Sequence, residues 1–270
     1  MCPHPLLESR HLVSGYGDQV VVNDVSLSIP KNKISVIIGS NACGKSTLLK
    51  TLARLIKPMS GQITLDNKRL DRIPSKQLAR HLGLLPQSPI VPEGITVSDL
   101  VSRGRFPYQS LFKGLSAKDY EAIEAALDIM GIKDLADHPV DELSGGQRQR
   151  VWIAMALAQD TDILFLDEPT TYLDITYQIE ILDLLTDLNR RRKTTIVMVL
   201  HDINLTARYA DYIFAIKQGK LIGEGSPSQI ISEEFIESVF GLECKVIRDP
   251  VSNTPFMVPK GRHHVLEACS

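Results

Sequence analysis

The chain has 270 residues, with 30 Lys and Arg against 32 Asp and Glu and a net charge of −2, so it lacks the one-sided basic face that nucleic-acid backbones require, and no nucleic-acid partner is expected. Its length and mixed composition suit one large α/β domain or two small ones with a sizeable core. Four widely spaced cysteines (Cys2, Cys43, Cys244, Cys269) without a CxxC pair argue for reduced thiols and against a disulfide framework or zinc site; no apolar run approaches bilayer length, and Pro3 and Pro5 stand where a secretory signal would begin.

Gln19 to Pro30 and, later, Gln62 to Asp66 alternate apolar and polar residues, which predicts half-buried antiparallel strands forming a small sheet beside the main one. Between them the β-branched run Ile34 to Ile38 enters Gly39-Ser40-Asn41-Ala42-Cys43-Gly44-Lys45-Ser46, and Thr47 to Leu52 continues as a helix. Strand, glycine loop, helix is the order a G-x-x-x-x-G-K-[ST] phosphate loop demands. Its backbone N–H groups, from Gly39 through Thr47, converge on phosphate oxygens at the positive end of the helix. Lys45 then reaches the β- and γ-phosphates and the Ser46 hydroxyl ligates Mg²⁺. Cys43 reads as a neutral space-filler, with a redox role as the alternative because a helix N-terminus lowers a thiol pKa.

From about Ser88 to about Ala158 the pattern turns helical and predicts a separate subdomain, with Ser116-Ala117-Lys118-Asp119 as a capping box before Ile123, Leu127 and Met130. Leu143-Ser144-Gly145-Gly146-Gln147 opens a helix over Arg148 to Ala158, so the Ser144 hydroxyl and glycine amides form a second anion site. Alone it is an N-cap; beside the phosphate loop it is a half-site. Ile163 to Leu166 and Ile196 to Leu200 are apolar on both faces, as buried parallel strands are. The first delivers Asp167, suited to a magnesium shell, and Glu168, suited to orienting or deprotonating water; the second delivers His201, which can bond the γ-phosphate or that water. The helix between them carries Ile181, Leu184, Leu185 and Leu188 and ends in Arg190 to Lys193, a solvated C-terminus favoured by the helix dipole. Ile213 to Gly225 reads as a hairpin turning at Gln218-Gly219. The last thirty residues, with Pro250, Pro255 and Pro259, read as an extended appendage and His263-His264 as solvated tail.

Six ordered motifs resemble those of the ATP-binding subunit of an ABC transporter over essentially the whole length: the loop Gly39 to Ser46, Gln87, the signature Leu143 to Gln147, Asp167-Glu168, the Leu173-Asp174 turn and His201. The resemblance implies an α/β fold of the P-loop NTPase type. A RecA-like core with an antiparallel β subdomain would occupy 1–88 and 159–240, an inserted α-helical subdomain 89–158 and a C-terminal extension 241–270. It further implies ATP and Mg²⁺ as cofactors, Tyr16 stacked on adenine, Gln87 touching magnesium and relaying its occupancy to the helical subdomain, and Gln147 and Asp174 in the nucleotide site. Glu168, His201 and Gln87 would form the catalytic set. Two copies would make a homodimeric sandwich, each ATP lying between Lys45 of one and Ser144 of the other. Two integral membrane permease subunits would hold the pair at the cytoplasmic face of the inner membrane, served by a periplasmic or surface substrate-binding protein.

The family usually has Pro at position 40 and Gly at position 42, where this loop has Ser40 and Ala42; a positive φ at Ala42 would cost about 1 kcal/mol. Pro92 to Val97, Arg103 to Tyr108, Pro169 to Ile175 and the closing Asp249-Pro250, Thr254-Pro255 and Val258-Pro259 are similar to ATPases of iron–siderophore importers of the ferric enterobactin type. On that likeness Arg103, Arg105 and Tyr108 face the permease or are solvated helical residues. Importers of haem or vitamin B12 remain open, as does a non-transport ATPase of the same fold, although the chain has neither the coiled-coil insertion nor the second nucleotide domain of such proteins.

Overall fold

The computed structural model describes residues 6–87, 93–109, 114–261 and 263. The expectations that fall on Cys2, Pro3, Pro5, Ser88 to Pro92, His264 and Cys269 lie outside the described residues. The chain begins with β1 (Leu7–Tyr16) and β2 (Gln19–Ile29), an antiparallel pair. Next, β3 (Ile34–Ile38) leads into α1 (Lys45–Leu52), and β4 (Ser60–Leu65) and β5 (Lys68–Arg69) complete a four-stranded sheet in the order β2-β1-β4-β5. The central strand β1 was not expected as a whole, because register shifts at Ser9/Leu12, Leu12/Ser14 and Ser14/Gly15 interrupt the two-residue alternation by which a strand is read.

After α2 (Ser75–Leu78) comes β6 (Leu82–Leu85), then the helices α3 (Val97–Ser102), α4 (Ala117–Ile129) and α5 (Gly145–Ala158). The chain returns through β7 (Ile163–Asp167), α6 (Ile175–Arg192), β8 (Thr195–Val199), α7 (Ile203–Tyr209), β9 (Tyr212–Lys217) and β10 (Lys220–Gly225). The main sheet runs β10-β9-β3-β8-β7-β6, parallel throughout except for β10. The Ile213 to Gly225 hairpin therefore forms, and its first strand also pairs in parallel with β3, which puts it in the main sheet.

The inner strands of this sheet are covered on both faces, which explains the near-continuous apolar runs of β3, β7 and β8. Ile37, Phe165, Val197 and Phe214 point to the antiparallel sheet and α1, while Val36, Leu164, Leu166 and Met198 point to the helices. Burying one such side chain stabilises the fold by roughly 1.5–3 kcal/mol. On the helical side, the Ser116/Asp119 capping box closes the start of α4 as expected. The α5 helix starts at Gly145, three residues before the expected Arg148, because Ser144 is its N-cap.

Two expectations need correction. Arg105 is neither solvated nor free for a partner: it is 5% exposed, with Nε 2.8 Å from Asp119 Oδ1, Nη1 2.8 Å from the Ala158 carbonyl and its guanidinium 3.8 Å from the Tyr108 ring centroid. The C-terminal stretch is not merely extended. After α8 (Pro227–Ile230) and α9 (Glu233–Phe240) it forms an antiparallel hairpin of β11 (Cys244–Arg248) and β12 (Pro255–Pro259). That hairpin is fastened to α7 by Asn204, whose side-chain amide donates to Met257 O (3.1 Å) and accepts from Met257 N (2.7 Å).

Candidate active site

The carboxyl ends of β3, β7 and β8 lie side by side in the sheet, so the loops that follow them meet at one edge. There the loop after β3 borders a cleft of about 490 Å³ lined by Tyr16, Val21, Asn41 to Thr47, Gln87, Glu168 and His201. A volume of this order holds a small molecule of nucleotide size. Gly39 has φ 150°, and a side chain there would bring Cβ within 2.1 Å of the Ile216 carbonyl oxygen. Ala42, at φ 59°, does occupy the left-handed region, so the strain foreseen for a residue with a Cβ is present.

Lys45 opens α1 and is 5% exposed; its ammonium donates to the carbonyls of Gly39 (3.0 Å) and Ser40 (2.9 Å), which curls the loop over its own lysine. Behind it, the Ser46 hydroxyl donates to Asp167 Oδ1 at 2.8 Å. Asp167 is the last residue of β7 and is buried; its Oδ2 has no hydrogen-bond partner, and the nearest cation is Lys50 Nζ at 3.7 Å. Burial pushes the Asp167 carboxyl upward, opposed by the Ser46 hydroxyl and the Lys50 charge. Burial likewise raises the Cys43 thiol, against the pull of Lys45, in keeping with a neutral space-filler.

Glu168 follows at φ 55°, turning its side chain from the strand into the cleft. Both of its oxygens are engaged. Gln87 Nε2 donates to Oε2 at 2.6 Å and the Thr171 hydroxyl to the same oxygen at 3.1 Å, while His201 Nε2 lies 2.6 Å from Oε1. An ionised carboxylate can only accept, so the imidazole N–H donates in that contact. Residues at sequence positions 87, 168 and 201 thus form one linked group. Tyr16, 55% exposed, stands at the cleft's rim.

The second anion-binding candidate is elsewhere. The Ser144 hydroxyl accepts from Gln147 N (3.3 Å) and Gln147 Oε1 accepts from Ser144 N (3.0 Å), a closed capping box, and no residue of Leu143 to Gln147 lines the cleft. Asp174 is also absent from the lining: it caps α6, accepting from Tyr177 N at 3.1 Å. Beside it Tyr172 is 91% exposed and Ile175 is also exposed. Thr171 and Lys50 were not singled out from the sequence. Lys50 had a readable signal, its i+4 spacing from Ser46 on one helix; Thr171 had none beyond its place in the quoted stretch Pro169 to Ile175.

Known proteins resemble this chain in sequence and in fold. The family model for the ABC transporter matches residues 22–171. Over 256 residues the chain is 52% identical to the probable siderophore transport system ATP-binding protein YusV of Bacillus subtilis (strain 168), covering 95% of this chain and 93% of that one. It is 51% identical over 256 residues to the petrobactin import ATP-binding protein FpuD of Bacillus anthracis (95% and 94% covered) and 48% identical over 256 residues to the ferric enterobactin transport ATP-binding protein FepC of Escherichia coli (strain K12), again with 95% and 94% covered. Among solved structures, an inward-facing putative metal-chelate type ABC transporter superposes with a TM-score of 0.83 at 28% identity, covering 96% of this chain and 98% of that one. The dimeric bacterial ABC transporter cassette MJ0796 superposes with a TM-score of 0.72 at 28% identity (82% and 98% covered).

Proposed function

The chain belongs to the ABC transporter family, as the ATP-binding subunit of an iron–siderophore import system, and from that premise we propose that it hydrolyses ATP in a cleft that a second copy of the chain completes. One observation carries the proposal: the cleft gathers the phosphate loop, Gln87, Glu168 and His201, yet Ser144 to Gln147, the other phosphate-binding element, is absent from its walls. A γ-phosphate held there would be contacted from one side only. Apposed copies supply Ser144 and its helix N-terminus from the other side, and the exposed Tyr172 and Ile175 beside Asp174 offer apolar surface to bury in such a pairing.

The work of each residue follows from its position. Tyr16 stacks on the adenine ring at the rim. The loop amides and α1 bind the phosphates, and Lys45 exchanges the Gly39 and Ser40 carbonyls for the β- and γ-oxygens. The donor set beneath them fits magnesium: Ser46, a buried Asp167 with an unpartnered Oδ2 and the Gln87 amide oxygen would hold it through hard oxygens. When bound, the ion neutralises charge on the phosphoryl oxygens. Glu168 orients and deprotonates the attacking water through Oε1, which among the described residues accepts only from His201, while Gln87 and Thr171 hold Oε2. His201 then turns to the γ-phosphate. ATP draws the copies together because it contacts both only in the closed pair, and hydrolysis removes that differential affinity.

On the same reading, residues 89–158 act as the unit that Gln87 moves, and the closed–open cycle drives two membrane-embedded permease subunits. None of the helices among the described residues is long and apolar enough to cross a membrane, so the permease would hold this subunit at the cytoplasmic face, and a substrate-binding protein outside would choose the chelate. The test is Glu168→Gln: it is expected to bind ATP, hydrolyse it very slowly and run as a dimer in gel filtration with ATP. A persistent monomer would overturn the composite site.

A further inference from the structure

Lys50 has no part in the chemistry above, yet it is spent on the most secluded charge in the site. Asp167 has no solvent contact through its side chain; Oδ1 takes the Ser46 hydroxyl and Oδ2 is left without a hydrogen bond. Lys50 stands one helical turn after Ser46, so both project from the same face of α1, and its ammonium lies 3.7 Å from Oδ2 with the side chain 32% exposed. That distance is too long for a hydrogen bond and short enough for strong attraction in a site of low dielectric. A buried carboxylate stays charged only when compensated. Lys50 also sits in the last turn of α1, where a cation suits the helix dipole; the dipole accounts for a lysine there, but not for its reach back towards β7.

We propose that Lys50 is a positioning residue, a resident counter-charge that stands in for the divalent cation on Asp167 and is pushed toward solvent when a metal–nucleotide complex enters. This rests on the reading of Ser46 and Asp167 as metal ligands. A fixed positive charge beside the ligands repels a bare divalent ion, whereas an ion that arrives with phosphates brings its own compensation. Lys50 thereby makes the site bind metal together with nucleotide rather than before it.

Mn²⁺ serves as the probe, followed by its electron paramagnetic resonance signal without nucleotide and with ADP, alongside thermal unfolding in EDTA. The Lys50→Met variant is expected to melt at a lower temperature in EDTA and to bind Mn²⁺ without nucleotide on the order of tenfold more tightly than the unaltered protein, with a smaller gain when ADP is present; Lys50→Arg is expected to behave as the unaltered protein does. In an Asp167→Asn background the Lys50→Met change should no longer lower the melting temperature. An equal drop in that background, or unchanged or weaker Mn²⁺ binding by Lys50→Met, overturns the proposal. Should Lys50→Met fail to fold, the double variant with Asp167→Asn is expected to fold, and its failure also counts against the idea. If Ser46→Ala and Asp167→Asn both bind Mn²⁺ with ADP as well as the unaltered protein, it is the metal-ligand reading that falls; if they lose it while Lys50→Met changes nothing, only the role of Lys50 falls.

Discussion

Ala42 carries a left-handed backbone in the loop that frames the cleft, and the strain is intrinsic to its Cβ. Ala42→Gly should relieve about 1 kcal/mol of it, partly offset by the greater freedom of glycine in the unfolded chain, so a small net gain of about 0.5 kcal/mol in thermal unfolding is expected. A second residue-scale device lies at the start of α4, where the Ser116 hydroxyl and amide, with Arg105, hold the Asp119 carboxyl at about 2, below its ordinary 3.8. A depressed carboxyl contributes stability that is fully present above its unfolded pKa and is lost as pH falls through the folded value. Asp119 therefore supplies on the order of 2 kcal/mol near neutrality that disappears between about pH 4 and pH 2. Asp119→Asn should flatten that limb of a stability-against-pH curve measured by denaturant unfolding. At this scale the sequence was most legible where chemistry requires a residue type at a set spacing, as for Lys45, Ser46, Asp167 and Glu168. It misled on Arg105, because a lone arginine in a helical stretch shows no sign of whether a carboxylate and an aromatic ring will enclose it.

Among the elements, α7 joins the site to the chain's end. Asp202 caps it, accepting from Leu205 N at 2.8 Å, and His201 immediately precedes that cap. The first turn of this helix presents Asn204 to both polar backbone atoms of Met257 in β12. The side-chain amide imitates a peptide group and extends the edge of the hairpin. Asn204→Ala leaves a donor and an acceptor unpaired in a partly buried place, and a loss of about 1–2 kcal/mol in thermal unfolding is expected, with nucleotide affinity unchanged. The prolines that disguised this hairpin stand where strands accept them, Pro255 and Pro259 at the two ends of β12. Conversely β3, β7 and β8 were plain in the sequence, since a strand covered on both faces is apolar throughout, while β6 is only four residues long and includes Gly83.

For the molecule as a whole, the composite site makes a prediction that no single copy can satisfy. Lys45→Ala and Ser144→Arg should each abolish ATP hydrolysis alone. Mixed, they form pairs in which one cleft has both defects and the other has neither, so an equimolar mixture should regain about a quarter of the unaltered rate in a phosphate-release assay, given random pairing of isologous copies. No recovery on mixing would contradict sharing between copies. Taken by itself, the sequence determined the phosphate loop, the acidic pair at a buried strand end and the helix-capping serine, because each depends on neighbours within one turn or one strand. Only the tertiary structure decided that Gln87 and His201 grip the two oxygens of Glu168, that Lys50 attends Asp167, that β9 joins the main sheet and that Arg105 is enclosed. Those relations join residues remote in the chain or turn on which way a side chain packs, and they arise where a parallel sheet brings the ends of its strands to one edge.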